Sequence, residues 1–393
     1  MTFATTLRSE RERTVKSTEL NLANLSRIPF FVVGGIMFKF QEKRITPQAR
    51  IVFLCGTKYG KKSESDKRNV LKKFLETDCR NIKALILEEH FSFGKAGGLL
   101  SYDDIFMNNL RDIEELSAAF ADNIIIIHDS ISTGAELAAF ASNAMLESKI
   151  CVLEPDSTGI EERKISAFLE LAFFHEKTKI HRITYYPEVF PYHISKEHIE
   201  KHTRFAGNEI TPLLGEKIKT FLGECDDLLD IKFRKAYFGR VDSSRNIISY
   251  SVEDDALKVN VSGQVLLYQV IDMMSLAEVR TEVRKPKKLY EHVDFVNKMY
   301  CQILRNSIEG SITEKVSEIR VYVKENKESQ CESRKVVGYS LYMMQALGLI
   351  ELKKVSGLCR ISVEKEMEAY WDGMGGMLVE EADDALRGLL MDE

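Results

Sequence analysis

The sequence predicts an α/β protein, a doubly wound parallel sheet of flavodoxin-like or Rossmann-like type followed by a mostly helical region with a C-terminal winged helix-turn-helix. Three observations carry this. Between residues 50 and 187, apolar runs alternate five times with stretches of helical periodicity. The runs are apolar at successive positions, as in "NIIII" at 123–127, which fits strands covered by helices on both faces. Near the C-terminus, a helical stretch ending in "ALGLI" runs into two strand-like segments around Ser356 and Gly357, the outline of a helix and its wing.

Taken in order, residues 1–48 read as an N-terminal arm. Its apolar patch "IPFFVVGGIMF" (28–38) is too short to span a bilayer and contains two glycines, so it reads as a packed strand or turn. Residues 49–190 form the sheet domain. "RIVFLCG" (50–56) is the first strand and "SDKRNVLKKFLETD" (65–78) an amphipathic helix. "KALILEEHF" (83–91) is the second strand, ending in two acids, and "SYDDIFMNNLRDIEELSAAFAD" (101–122) a long helix. "NIIIIHD" is the third strand, "AELAAFASNAMLES" (135–148) the third helix and "KICVLEP" (149–155) the fourth strand. A helix over 160–175 and the strand "KIHRITYYP" (179–187) complete the sheet. Residues 191–285 are a connecting region, helical to about 240 and then strand-like in "NIISYSV" and "ALKVNV". The segment "GQVLLYQVIDMMSLAEVR" is a candidate for a unit similar to the C-terminal one. Residues 286–393 hold the winged-helix-like domain: two helices, the hairpin "ELKKVSGLCRISV" (351–363), and an acidic amphipathic helix in the tail "VEEADDALRGLLMDE".

Bulk composition narrows the function classes. The 393 residues are 44% hydrophobic, enough for a real core. A formal net charge of -5 argues against a wholesale nucleic-acid binder and leaves room for a local basic patch. Lys324, Lys327, Arg334, Lys335, Lys353, Lys354 and Arg360 form such a set. The polar start lacks the apolar core of a signal peptide. Seven scattered cysteines without a CxxC pair read as reduced thiols of a cytoplasmic protein, with no metal site indicated.

In a parallel sheet the strand ends converge on one edge, where open α/β folds bind ligands. The candidates there are Gly56–Lys62, Glu88 with Glu89, and Asp129–Glu136. "CGTKYGKK" (55–62) lacks the order of a P-loop or a dinucleotide fingerprint, and half its reading is a plain glycine turn. "DSISTGAE" leads hydroxyls and a glycine into a helix N-terminus. Glu136 then has two readings. It is a capping acid near the third helical position, behind Ser132 or Thr133 as N-cap, or it is a catalytic carboxylate. Asp103 is equally an acid at a helix start, Arg68 equally a solvated helix charge, and His128 a structural histidine.

"IVFLCG", a charged loop and a helix carrying Arg68, then "LLSYDD", then "NIIIIHDSISTGAELAAFA" resemble the nucleoside 2-deoxyribosyltransferase-like effectors of bacterial retrons, within the superfamily of nucleoside and nucleotide N-glycosidases. In that family a strand ending in acid-Ser-Pro-Gly-Ser leads to Glu-Leu-Gly-Ala-Phe. The resemblance places Asp129 and Ser130 on the acid–Ser pair, Thr133 on the second serine and Glu136 on the catalytic glutamate, with Leu137, Ala139 and Phe140 continuing the helix. Asp103 falls on the acid after the Leu-Leu pair, Asp122 on the aspartate before the third strand, and Arg68 on an arginine of the first helix. Ile131-Ser132 stands in place of Pro-Gly and Ala138 in place of a glycine. The family's Gly-Pro after the fourth strand is not evident.

An N-glycosidic bond breaks with oxocarbenium character at the anomeric carbon, so a carboxylate beneath the sugar stabilises or captures that centre. The resemblance thus implies an N-glycosidase hydrolysing NAD or a related nucleotide, with Glu136 as nucleophile or cation stabiliser and Asp103 as second catalytic candidate. Asp103 and Glu89 are candidates to hold the base or ribose. Asp129, Ser130, Thr133 and the loop at Gly56 would hold ribose or phosphate, with Arg68 as a phosphate partner. It also implies a toxic effector of anti-phage defence with no cofactor beyond its substrate. Its partners would be a retron reverse transcriptase and multicopy DNA–RNA hybrid (msDNA), with a homo-oligomer or filament in the complex. The basic set then meets either nucleic acid or protein. The competing class is a nucleotide-sensing sheet coupled to a winged-helix DNA-binding regulator, without catalysis.

Overall fold

The computed structural model describes residues 36–57, 66–92, 100–101, 110–155, 167–187, 203–223, 228–237, 242–325 and 333–382. The chain divides into a small unit, 1–38 with 380–393, and a large one, 39–379. In chain order the first elements are β1 (Ile36–Phe40), β2 (Lys43–Ile45), β3 (Arg50–Cys55), α1 (Lys67–Asp78), β4 (Ile82–Leu85), α2 (Leu87–His90), β5 (Phe91–Ser92) and β6 (Leu100–Ser101). They are followed by α3 (Leu110–Phe120), β7 (Asn123–Ile127), α4 (Ile131–Ala141), β8 (Ile150–Pro155), α5 (Ala167–Phe173) and β9 (His181–Tyr185).

Five strands form a wholly parallel sheet in the order β4-β3-β7-β8-β9. This is the flavodoxin-like order, in which the chain reverses its direction of winding between β3 and β7. Every residue of β3, β7 and β8 is buried, as their unbroken apolar runs require of central strands. On one face, Val52, Leu54, Ile125, Ile127 and Leu153 pack with Leu71 and Leu75 of α1 and with Leu214, Ile218 and Leu222 of the helix Pro212–Leu222. On the other face, Phe53 meets Phe140 of α4 edge-on at 6.0 Å between ring centroids. Such pairs contribute about 0.5–1.5 kcal/mol beyond their buried area.

Three sequence expectations change. The second strand stops at Leu85, and Leu87–His90 turns into a short helix, so Glu88 and Glu89 are not on a strand. The helix expected over 135–148 starts at Ile131 and ends at Ala141. Leu378–Ala382, expected to open a tail helix, is a strand paired with β1, while 383–393 lie outside the described residues.

A second five-stranded sheet was not foreseen. Its order is Glu318–Val323, Ala256–Val261, Ile247–Glu253, Leu229–Lys235 and β2, with parallel and antiparallel pairs mixed. Residues 43–45 of the expected arm thus form an edge strand. The helix Gly263–Met273 is buried along its whole length, which explains its nearly continuous apolar sequence. Beyond it, the helix Ser333–Ala346 runs into a hairpin of Ile350–Val355 and Leu358–Val363. Ser356 and Gly357 turn that hairpin with φ of 52° and 79°, the left-handed pair a two-residue turn needs.

Candidate functional site

Beyond the C-terminal end of β3, the strand from which the winding reverses toward β7, lies a cavity of about 200 Å³. Phe53, Cys55, Gly56, Arg68, Glu88 and Leu110 line it, with Glu114 and Glu136. Five chain segments meet here: the end of β3, α1, α2, α3 and α4.

The turn after β7 fixes α4. Ser130, with φ −154° and ψ 168°, is the N-cap, and its hydroxyl accepts the Thr133 N–H at 3.3 Å. Thr133 replies as the third helical residue: its Oγ1 accepts the Ser130 N–H at 3.2 Å and donates to the Ser130 carbonyl at 2.7 Å. This closes a capping box without any acid. Glu136 therefore lies beyond the first turn, and the capping reading of its carboxylate is excluded. It falls instead on the inward stripe of α4 with Thr133 and Phe140, at helical spacings of three and four. With Phe140 seated against Phe53, Glu136 is one turn nearer the strand end, where Cys55 lies. Its Oε2 is buried with no hydrogen-bond partner among the described residues.

Arg68 is neither a solvated charge nor a free anion receptor. Asp66 caps α1 by accepting the Arg68 N–H at 2.9 Å and also grips the guanidinium through both carboxylate oxygens, at 3.2 and 3.0 Å. Arg68 Nη1 donates to Glu88 Oε1 at 2.8 Å. Gly56 permits this placement, because a Cβ there would lie 3.1 Å from Arg68 Cγ. Burial alone would lower the Arg68 pKa, but the hydrogen bonds it donates to Asp66 and Glu88 hold it above its ordinary value.

The charge balance leaves the remaining acids unneutralised. Burial first, then the charges of Glu114 and Glu88, raise Glu136 to about 7 against a partial offset from Arg68. Burial and the neighbouring Glu88 raise Glu114 likewise to about 7. Burial, reinforced by Glu136, Glu114 and Glu88, pushes the Cys55 thiol well up, so it is not a thiolate nucleophile. Asp129 is raised by burial, with a hydrogen bond from Thr57 opposing. Among the described residues, no group of three His, Cys, Asp or Glu side chains could hold a metal ion.

Of the residues expected from sequence, Gly56, Arg68 and Glu136 line the cavity. Asp129, Ser130 and Thr133 form the adjoining turn. Thr133 is fully buried and holds the cap, while Ser130 Oγ also accepts from Thr57 at 2.7 Å. Glu89 pairs with Lys72 at 2.5 Å and does not line the cavity; Glu88 does. Asp103 lies outside the described residues. Asp122 is at the opposite edge of the sheet, accepting from Ile51 N–H and Gln264. His128 is lowered by burial and contacts Thr133 Oγ1 at 3.3 Å, consistent with a structural role. Sequence reasoning missed Asp66 and Glu114, and held Thr57 only as part of the loop Gly56–Lys62. Glu114 had little signal: it stands three residues before the buried Ser117 in a helix that also carries Asp112 and Glu115.

Fold and site together define a flavodoxin-like α/β protein with an acidic cavity at its winding reversal. Residues 64–231, about two fifths of the chain, match the STM3845 retron effector protein family. The match supports a retron-associated effector role. No curated protein matches the chain in sequence.

Proposed function

We propose that the protein is the toxic effector of a retron anti-phage system and acts as an N-glycosidase on NAD or a related nucleotide. The observation that carries this is Glu136: a carboxylate freed from any capping duty, one oxygen unpartnered and buried, lining a cavity at the strand ends. As a carboxylate it faces the anomeric carbon and stabilises or captures the cation that forms there as the base departs. Gly56 lines the cavity, and the hydrogen-bonded Thr57 and Ser130, with Asp129, follow the ends of β3 and β7 as groups suited to ribose hydroxyls or phosphate.

We also read the helix Ser333–Ala346 with its following hairpin as a winged helix, and assign to it the docking of a retron reverse transcriptase and its DNA–RNA hybrid. Its basic set is smaller than the sequence suggests. Lys324 is buried and donates to the carbonyls of Ser244 and Ile247, Arg334 pairs with Asp294, and Lys353 with Glu351. Lys327 lies outside the described residues.

Incubating the purified protein with NAD and with a panel of nucleotides, and resolving released bases by chromatography, tests the reading. Release of nicotinamide or a nucleobase supports it. Tight binding of a nucleotide with no bond cleavage would favour the sensing regulator instead.

A further inference from the structure

Glu114 is the second acid that faces the cavity without a cation. Glu88 is tied to Arg68, and Glu89 to Lys72. Glu114 forms no hydrogen bond or ion pair among the described residues, and the like charge of Glu88 acts on it. It reaches the cavity from α3 and comes with the apolar Leu110 one turn before it. Below it, Ser117 and Phe120 pack against Tyr339 of the helix Ser333–Ala346, and Ala119 abuts Gly263. The helix bearing Glu114 is thus held by packing in the turn that follows it.

Resting on the N-glycosidase reading, we propose that Glu114 is the catalytic acid that protonates the departing base, which equips this site for nucleosides or nucleotides whose base is neutral. A pyridinium such as nicotinamide in NAD leaves as a neutral molecule and needs no proton. A neutral purine or pyrimidine leaves as an anion unless protonated. In the proposed step, the C1′–N bond breaks with its electron pair moving to the base, and the base takes the Glu114 proton. The Glu136 carboxylate closes on C1′. Water then gives its hydroxyl to C1′ and its proton to solvent, releasing Glu136, and Glu114 is reprotonated from solvent. The balance is nucleoside plus water to free sugar plus protonated base.

The two carboxyls do opposite jobs from similar environments: Glu136 works ionised and Glu114 protonated. Cleavage of a neutral-base substrate should therefore rise and fall around pH 7, while NAD cleavage should only rise through that range.

The test compares wild type, Glu114→Gln and Glu136→Gln on three substrates: NAD, adenosine monophosphate and 4-nitrophenyl riboside. The last has a leaving group stable enough to depart without an acid. Melting curves confirm that each variant is folded. Glu114→Gln should slow release of adenine about 100-fold or more and abolish the alkaline limb of its pH profile. NAD and nitrophenyl riboside should be cleaved within about threefold of wild type, because their leaving groups need no proton. Equal losses on all three substrates would overturn the proposal, as would a wild type that cleaves NAD but no neutral-base nucleotide. Cleavage that depends on Glu136 but not Glu114 sinks this inference alone. No cleavage of any substrate by wild type sinks the N-glycosidase reading and this inference with it.

Discussion

Glu136 is raised to about 7 because a carboxylate is confined beside Glu114 and Glu88 in a largely dehydrated pocket. Its folded-state pKa lies above the unfolded value of 4.5, so the unfolded chain releases the proton first. The stability it contributes is present below the unfolded pKa and is lost as pH rises through about 7. Glu136→Gln should therefore raise stability at pH 8 by about 1–2 kcal/mol, discounted for partial exposure, and leave it unchanged near pH 4. Urea melts at the two pH values check this. A variant less stable than wild type at pH 8 would show that the carboxylate serves the fold. Arg68 predicts the reverse. Arg68→Met leaves Asp66 and Glu88 facing each other in the space it filled, at a cost of about 3–5 kcal/mol. An unchanged melt for that variant would mean the arginine is not the structural centre of the site.

The central strands were legible because their burial is written as unbroken apolar runs: every residue of β3, β7 and β8 is covered. The misreadings have equally local causes. Leu85, Ile86 and Leu87 are all buried, so the run looks continuous although the backbone leaves the strand between them. The start of α4 was placed late because its first residue, Ile131, is 95% exposed and its capping box closes with Thr133 in place of the usual Glu or Gln. That error determined how Glu136 was read, since moving the helix start by four residues carries the acid out of the cap. The second sheet was illegible because β2 pairs with Leu229–Ile231, nearly two hundred residues away, and nothing local encodes such a pairing. The contact of the helix Gly263–Met273 with α3 is similarly non-local. A Cβ at Gly263 would lie 3.2 Å from the backbone of Ala119, so Gly263→Ala should cost about 1–3 kcal/mol by separating the two helices. A melting midpoint equal to wild type would contradict that packing.

Across the whole molecule, the cavity belongs to the parallel sheet, while the hairpin of 350–363 belongs to the C-terminal helices. Among the described residues, no helix is long and apolar enough to cross a membrane. On the proposed reading, the first region does the chemistry and the second meets the partner that restrains it. Charge reversal at Lys354 and Arg360 together should weaken capture of a DNA–RNA hybrid-bearing reverse transcriptase and leave base release by the isolated protein unchanged. Because Lys324, Arg334 and Lys353 are already engaged within the chain, the salt dependence of capture should be shallow. Lost base release with intact capture would place the hairpin in the active site. The central claim, however, is that Glu136 performs the glycosidic chemistry, and one rate comparison addresses it most directly. Full-length wild type and Glu136→Gln are given NAD or the nucleotide that wild type cleaves, and the released base is followed at pH 7.5. The account predicts a Gln variant that folds, binds the nucleotide and releases base at least about a thousandfold more slowly; release at the wild-type rate would contradict it.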